Sequence, residues 1–100
     1  MPQKFYHAIE SLLAVLMAHV LKWIEQPEKR SSSWVKTIND TRMQIKKQQA
    51  QKPSANDNFI RSVWEKIFGR GKRIAEDEMK KKAKTDELTW KQVFDDDYEV

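Results

Sequence analysis

The chain contains no cysteine, which excludes disulfides, thiolate metal sites and cysteine nucleophiles. Glycine and proline are scarce, with two and three copies in 100 residues, and this favours helices over a turn-rich sheet. Histidine occurs twice. His7 and His19 stand on different faces of one expected helix, so they do not form a metal pair. The acidic residues Asp95, Asp96, Asp97 and Glu99 lack the spacing of a calcium loop. No glycine-rich phosphate loop and no serine–histidine–acid motif is present, so neither a cofactor nor a catalytic set is expected. The longest apolar run, Leu12 to Leu21, is about half of what a bilayer crossing needs, and it contains His19. Lys4 is a weak basic start for a secretion signal, and Glu10 interrupts the approach to the apolar stretch. The expectation is a cytoplasmic protein with no membrane span and no small-molecule substrate.

What is present is charge and helical periodicity. Hydrophobic residues make up 39% and charged residues 34%, a balance that still supports a folded core. A domain of this size buries only about 60–65% of its unfolded surface, so a partner or a second copy adds useful burial. The net charge of +4 is unevenly spread. Residues 29–84 carry sixteen Lys/Arg against six Asp/Glu, whereas residues 85–100 carry one against six. The simplest reading folds the acidic tail back onto the basic body.

Three main helices are expected, at about 2–25, 34–51 and 56–82, with a short C-terminal helix at about 90–95. Pro2 suits a first helical position. Phe5, Ile9, Leu12, Leu16, Val20 and Trp23 form one stripe, and Leu13, Val15, Met17, Leu21 and Ile24 extend apolar character around the helix. This first helix is therefore placed at the centre of an all-α bundle, and Pro27 ends it. Ser32 or Ser33 is suited to cap the second helix, whose buried stripe is Trp34, Val35, Ile38, Thr41, Arg42 and Ile45. Pro53-Ser54 opens the third. Its apolar stripe runs past Gly69 and through Gly71 without a phase slip, so one continuous helix is expected despite the glycines. Thr89 to Gln92 matches a capping box, with Leu88 and Val93 at the positions of a hydrophobic staple. The chain reads as one domain, with residues 96–100 an acidic tail able to stay disordered.

His19 and Glu78 fall on apolar stripes, and buried polar groups need partners. With Arg42 they are expected to form one internal polar cluster that fixes how the helices dock. Any enzymatic role would centre on His19 as a proton-transfer group. Lys66, Arg70, Arg73, Lys80, Lys81 and Lys84 fall along one flank of the third helix, where they are candidates to contact nucleic acid or an acidic partner. Trp23, Trp34 and Trp64 lie on core stripes and are read as core.

The ordered residues resemble a known family. His19-Val20-Leu21-Lys22-Trp23, then Pro27-Glu28-Lys29-Arg30, then Ser33-Trp34, Ile38 and Arg42 are similar to signature blocks of the bacterial domain-of-unknown-function family 29. Pro53-Ser54, the run from Phe68 to Glu78 and the run from Leu88 to Tyr98 resemble later segments, so the likeness spans about residues 9–98. It implies a helical bundle and carries over no catalytic residue. Two departures stand out: an N-terminal helical segment is largely missing, and Lys84-Thr85-Asp86-Glu87 replaces the loop that precedes the last helix. The shorter chain is expected to leave apolar surface for a partner. The leading expectation is a non-catalytic protein-interaction module that self-associates or binds a partner, an antitoxin- or immunity-type partner being one form. The alternative is nucleic-acid binding through the basic flank of the third helix.

Overall fold

In the computed structural model, which describes residues 3–100, the chain is a helical bundle with α1 (Gln3–Glu25) in the middle. Pro2 lies outside the described residues. Helix α1 packs against α2 (Ser32–Gln51) on one side and α4 (Trp64–Met79) on the other, and those two scarcely touch each other. Among the described residues no strand occurs.

The breadth of its apolar surface explains the central place of α1. Ile9, Leu13, Leu16, Met17, Val20 and Leu21 are wholly buried, and they face two neighbours at once. By length and composition α1 would also pass for a membrane span. Here its apolar positions are covered by Ile38 and Ile45 of α2 and by Ile67 and Ala75 of α4, among others. The only large hydrophobics left exposed among the described residues are Met43 and Val100. Trp64, Phe68, Trp90 and Phe94 are half-buried, so part of their apolar surface stays open.

The α1–α4 contact depends on Gly71. A Cβ built there would stand 3.0 Å from both the Ala14 carbonyl oxygen and the Met17 Cβ, and 3.3 Å from the Ala18 nitrogen. The missing side chain lets the two backbones approach closely. Helix α4 continues through Gly69 and Gly71 unbroken, as the unslipped stripe indicates.

Three boundaries differ from expectation. Helix α2 starts at Ser32 because Ser31, in an extended conformation, accepts the Trp34 N–H at 3.3 Å and is the cap. The expected long third helix is divided at Val63, with a short α3 (Asp57–Ser62) before it. Val63 leaves the helical region at φ −106°, ψ 6°, and the Ser62 hydroxyl donates to the Phe59 carbonyl at 2.6 Å. Hydrogen bonding resumes at once, since the Ile67 N–H donates to Val63 at 2.9 Å. Helix α4 then stops at Met79 and not at Lys82, because Lys80 turns into the left-handed region at φ 58°.

At the C-terminus the capping box forms. The Thr89 N–H donates to the Gln92 side chain at 2.8 Å, and the Gln92 N–H donates to the Thr89 hydroxyl at 3.1 Å. Leu88 and Val93, the staple positions, are both buried. The element that follows, Lys91–Asp95, is a single π-turn closed by Asp96 N–H donating to the Lys91 carbonyl at 2.8 Å. Tyr98 brings the tail back onto α1, its ring 5.3 Å from that of Trp23 in an edge contact.

Candidate binding surfaces

The residues expected to form one polar cluster serve three separate contacts. His19 is half-buried, and its Nδ1–H donates to the Val15 carbonyl at 2.9 Å, within its own helix. Burial lowers its pKa, and the bond to Val15 opposes that shift. Glu78 instead accepts from Lys22 Nζ at 2.5 Å, because Lys22 lies three residues beyond His19 and carries the longer, charged arm. The Lys22 side chain is 9% exposed and its ammonium sits 5.1 Å from the Trp34 ring centroid. Arg42 belongs to the C-terminal turn, donating to the Val93 carbonyl at 2.8 Å and facing the Tyr98 ring. Burial lowers the Arg42 pKa, and Tyr98 with Asp95, Asp97 and Asp96 opposes that shift. The tail thus folds back on the body at Arg42 of α2 and Trp23 of α1, and it meets the lysines of α4 only loosely, with Asp86 3.7 Å from Lys72.

Two surfaces remain. The first is a lysine turn after α4. Glu76 organises it: its backbone carbonyl accepts from Lys80 at 2.8 Å and Lys81 at 3.3 Å, and its carboxylate accepts from the Ala83 N–H at 2.8 Å. Glu25 of α1 holds the next residues, accepting from Lys84 N–H at 3.0 Å, Thr85 N–H at 2.8 Å and the Thr85 hydroxyl at 2.5 Å. Burial pushes the Glu25 carboxyl up, but these bonds and nearby Lys81 together hold it below the usual glutamate value. An open depression of about 520 Å³ lies beside the turn. Arg73, Lys80 and Lys81 line it as the basic flank suggests, joined by Lys72 and Lys82. Lys66, Arg70 and Lys84 do not line it, and Lys66 instead pairs with Glu10 at 3.3 Å.

The second surface is aromatic. Trp64 opens α4 and stacks on Trp90 with centroids 5.4 Å apart and 22° between the planes. The Trp64 indole N–H donates to the Leu88 carbonyl at 3.0 Å, Phe94 packs 4.5 Å from Trp90, and the Arg61 guanidinium lies 4.2 Å over the Trp90 ring. All three rings are half-buried. Two adjoining grooves of about 690 and 490 Å³ share Trp64 and Glu65 as a common wall. The first groove carries Arg61 and Lys66, and the second carries Asp86 and Glu87.

Comparison with known proteins adds the family. Residues 1–99 match the family described as domain of unknown function DUF29. The chain belongs to the DUF29 family. No curated protein and no solved structure matches it. The match reaches further toward the N-terminus than the stretch at 9–98 that carries the visible resemblance.

In this DUF29 chain the family-like blocks are brought against one another. The Arg30 guanidinium lies 4.7 Å over the Trp23 ring, and its Nε–H donates to the Trp23 carbonyl at 2.9 Å. Lys22 meets Trp34 from the third block and Glu78 from the later run, while Arg42 and Trp23 both meet Tyr98. These contacts join α1, α2, α4 and the C-terminal turn of this chain. Among the described residues no group of three or more His, Asp or Glu is placed to hold a metal ion. The residues that sequence reading passed over are Arg61, Lys72, Lys82, Glu65 and Trp90. For Trp90 a signal existed, because the capping box fixes it one position after Thr89, yet nothing local ties it to Trp64.

Proposed function

We propose that this DUF29 protein is a non-catalytic binding module whose partner is a second copy of itself, docked through the surface centred on Trp64. The observation that carries the reading is the layout of the two grooves. Arg61 lies on one side of the Trp64–Glu65 wall and Glu87 on the other, beside Lys66 and Asp86, which already pair with Glu10 and Lys72. A two-fold rotation about such a wall lays the basic groove of one copy over the acidic groove of the next. That self-complementarity is what a symmetric interface requires. The tryptophans and arginine at its centre are the residue types that supply most of the energy in such contacts.

Catalysis has little support beside this. His19 donates its Nδ1–H to the Val15 carbonyl, and the residue lines neither the depression nor either groove. A proton-transfer role needs a pocket beside the histidine.

Sedimentation equilibrium between about 1 and 300 µM tests the proposal, a range set by the weak affinities typical of small transient interfaces. A concentration-dependent monomer–dimer equilibrium is expected, weakened by added salt because the groove charges are exposed. A single monomeric species across the whole range removes the reading.

A further inference from the structure

The geometry points to a second site, for the phosphate backbone of duplex nucleic acid, on the lysine turn that follows α4. Five cations, Lys72, Arg73, Lys80, Lys81 and Lys82, surround the depression there. Two carboxylates share the lining, and the Glu76 carboxylate is bound to the Ala83 N–H, so positive charge prevails. Among the described residues, only Lys72 of the five pairs with an acid, loosely, at 3.7 Å from Asp86.

Three features separate this surface from an ordinary solvated lysine run. First, the turn is fixed: Glu76 and Glu25 hold the backbone of Lys80, Lys81, Ala83, Lys84 and Thr85. A preformed array loses less freedom when a ligand arrives. Second, Lys80 occupies the left-handed region at φ 58°, ψ 36°, where glycine is the residue of lowest cost. The chain keeps a cation at a position whose backbone favours having no side chain. Third, the lining contains no aromatic or aliphatic side chain. A protein partner would need an apolar anchor, and a single strand would need a stacking ring. Phosphates along a duplex need only cations and room. Gly69 supplies room, since a Cβ there would meet nothing within 4 Å.

Cations placed on phosphates read no base, so binding through them is independent of sequence. Each phosphate neutralised releases counterions, and five cations in full contact would give a slope of about −4.5 in log K against log salt.

Fluorescence anisotropy with two unrelated labelled duplexes, read at 50–200 mM salt, tests the site. Both duplexes should bind alike, with affinity falling steeply as salt rises. Lys80→Gly relieves the left-handed strain, so it should melt no lower than the parent. It should nonetheless bind about tenfold more weakly at 50 mM salt, with a slope smaller by about 0.9. Lys81→Gln, at an exposed position, should weaken binding similarly. Arg61→Glu, in the aromatic surface, should leave duplex binding intact, which keeps this proposal distinct from self-association. Absence of binding at 50 mM, or unchanged binding by both lysine variants, overturns it. So does displacement by polyglutamate at equal charge, which would assign the surface to an acidic protein, or tighter binding of single strands.

Discussion

The Glu76 carboxylate accepts a hydrogen bond from the Ala83 backbone N–H at 2.8 Å, seven residues along the chain. The same residue's carbonyl takes the N–H groups of Lys80 and Lys81, so one side chain and one peptide unit close the whole turn. Glu76→Gln replaces a charged acceptor with a neutral one and should cost about 1 kcal/mol. Amide hydrogen exchange is the specific readout. Ala83 should exchange faster in the variant, while Ile67 and Ala75 in the core of α4 keep their protection. Equal Ala83 protection in the two proteins would show that the carboxylate does not hold the turn.

The two glycines of α4 should respond to alanine with opposite signs. At Gly71 the new Cβ would press on the Ala14 carbonyl and Met17 Cβ at 3.0 Å, and backbone atoms cannot swing aside. Gly71→Ala should destabilise by about 1–3 kcal/mol, because α1 and α4 would have to move apart to admit the methyl group. Gly69→Ala meets open space and gains helix propensity, so it should stabilise by up to about 1 kcal/mol. Urea denaturation of the pair checks both, and a like-signed result would refute the close-approach account.

Acidification should act through His19. Burial lowers its folded pKa, so below the unfolded value of about 6.5 the unfolded chain binds the extra proton and folding weakens. The contribution of the neutral ring is complete above that value and is lost as pH falls toward the folded one. The melting temperature should therefore drop between pH 7.5 and 5.5, and by less in His19→Asn, which keeps a donor for Val15. An identical drop in both proteins would remove His19 from the pH response.

Glu25 works at lower pH. Its folded pKa lies below the usual glutamate value, so its bonds to Lys84 and Thr85 stabilise the fold above about pH 4. They are lost as pH falls through the folded value. In thermal scans from pH 6 to 3, Glu25→Gln should begin less stable and lose less on acidification than the parent. Parallel curves would contradict the assignment.

Much of the architecture was legible in the sequence. The breadth of apolar residues from Ile9 to Leu21 placed α1 at the centre, and the unslipped stripe through Gly71 carried α4 across two glycines. The capping box at Thr89 and Gln92 formed as written. The breaks left no mark. Val63 kinks the chain without shifting its period, and Lys80 ends α4 where no glycine or asparagine announces an end. Site residues were harder to find, because hydrophobic spacing says which face is buried and not which side chains meet. Lys22 displaced His19 as the partner of Glu78, and Trp64 met Trp90 across 26 positions. Glu25 and Thr85, 60 positions apart, had no pattern that linked them.

Self-association through the Trp64 surface is the central claim, and a charge swap tests it most directly. Arg61 and Glu87 lie in the basic and acidic grooves, and both are exposed. Sedimentation equilibrium of four proteins should be compared at one concentration: the parent, Arg61→Glu, Glu87→Lys and the double variant. Each single reversal sets like charges against each other across the two-fold and should shift the protein to monomer. The double variant restores opposite charges and should dimerise again near the parental affinity. Dimerisation that survives both single reversals, or a double variant that stays monomeric, would contradict the account.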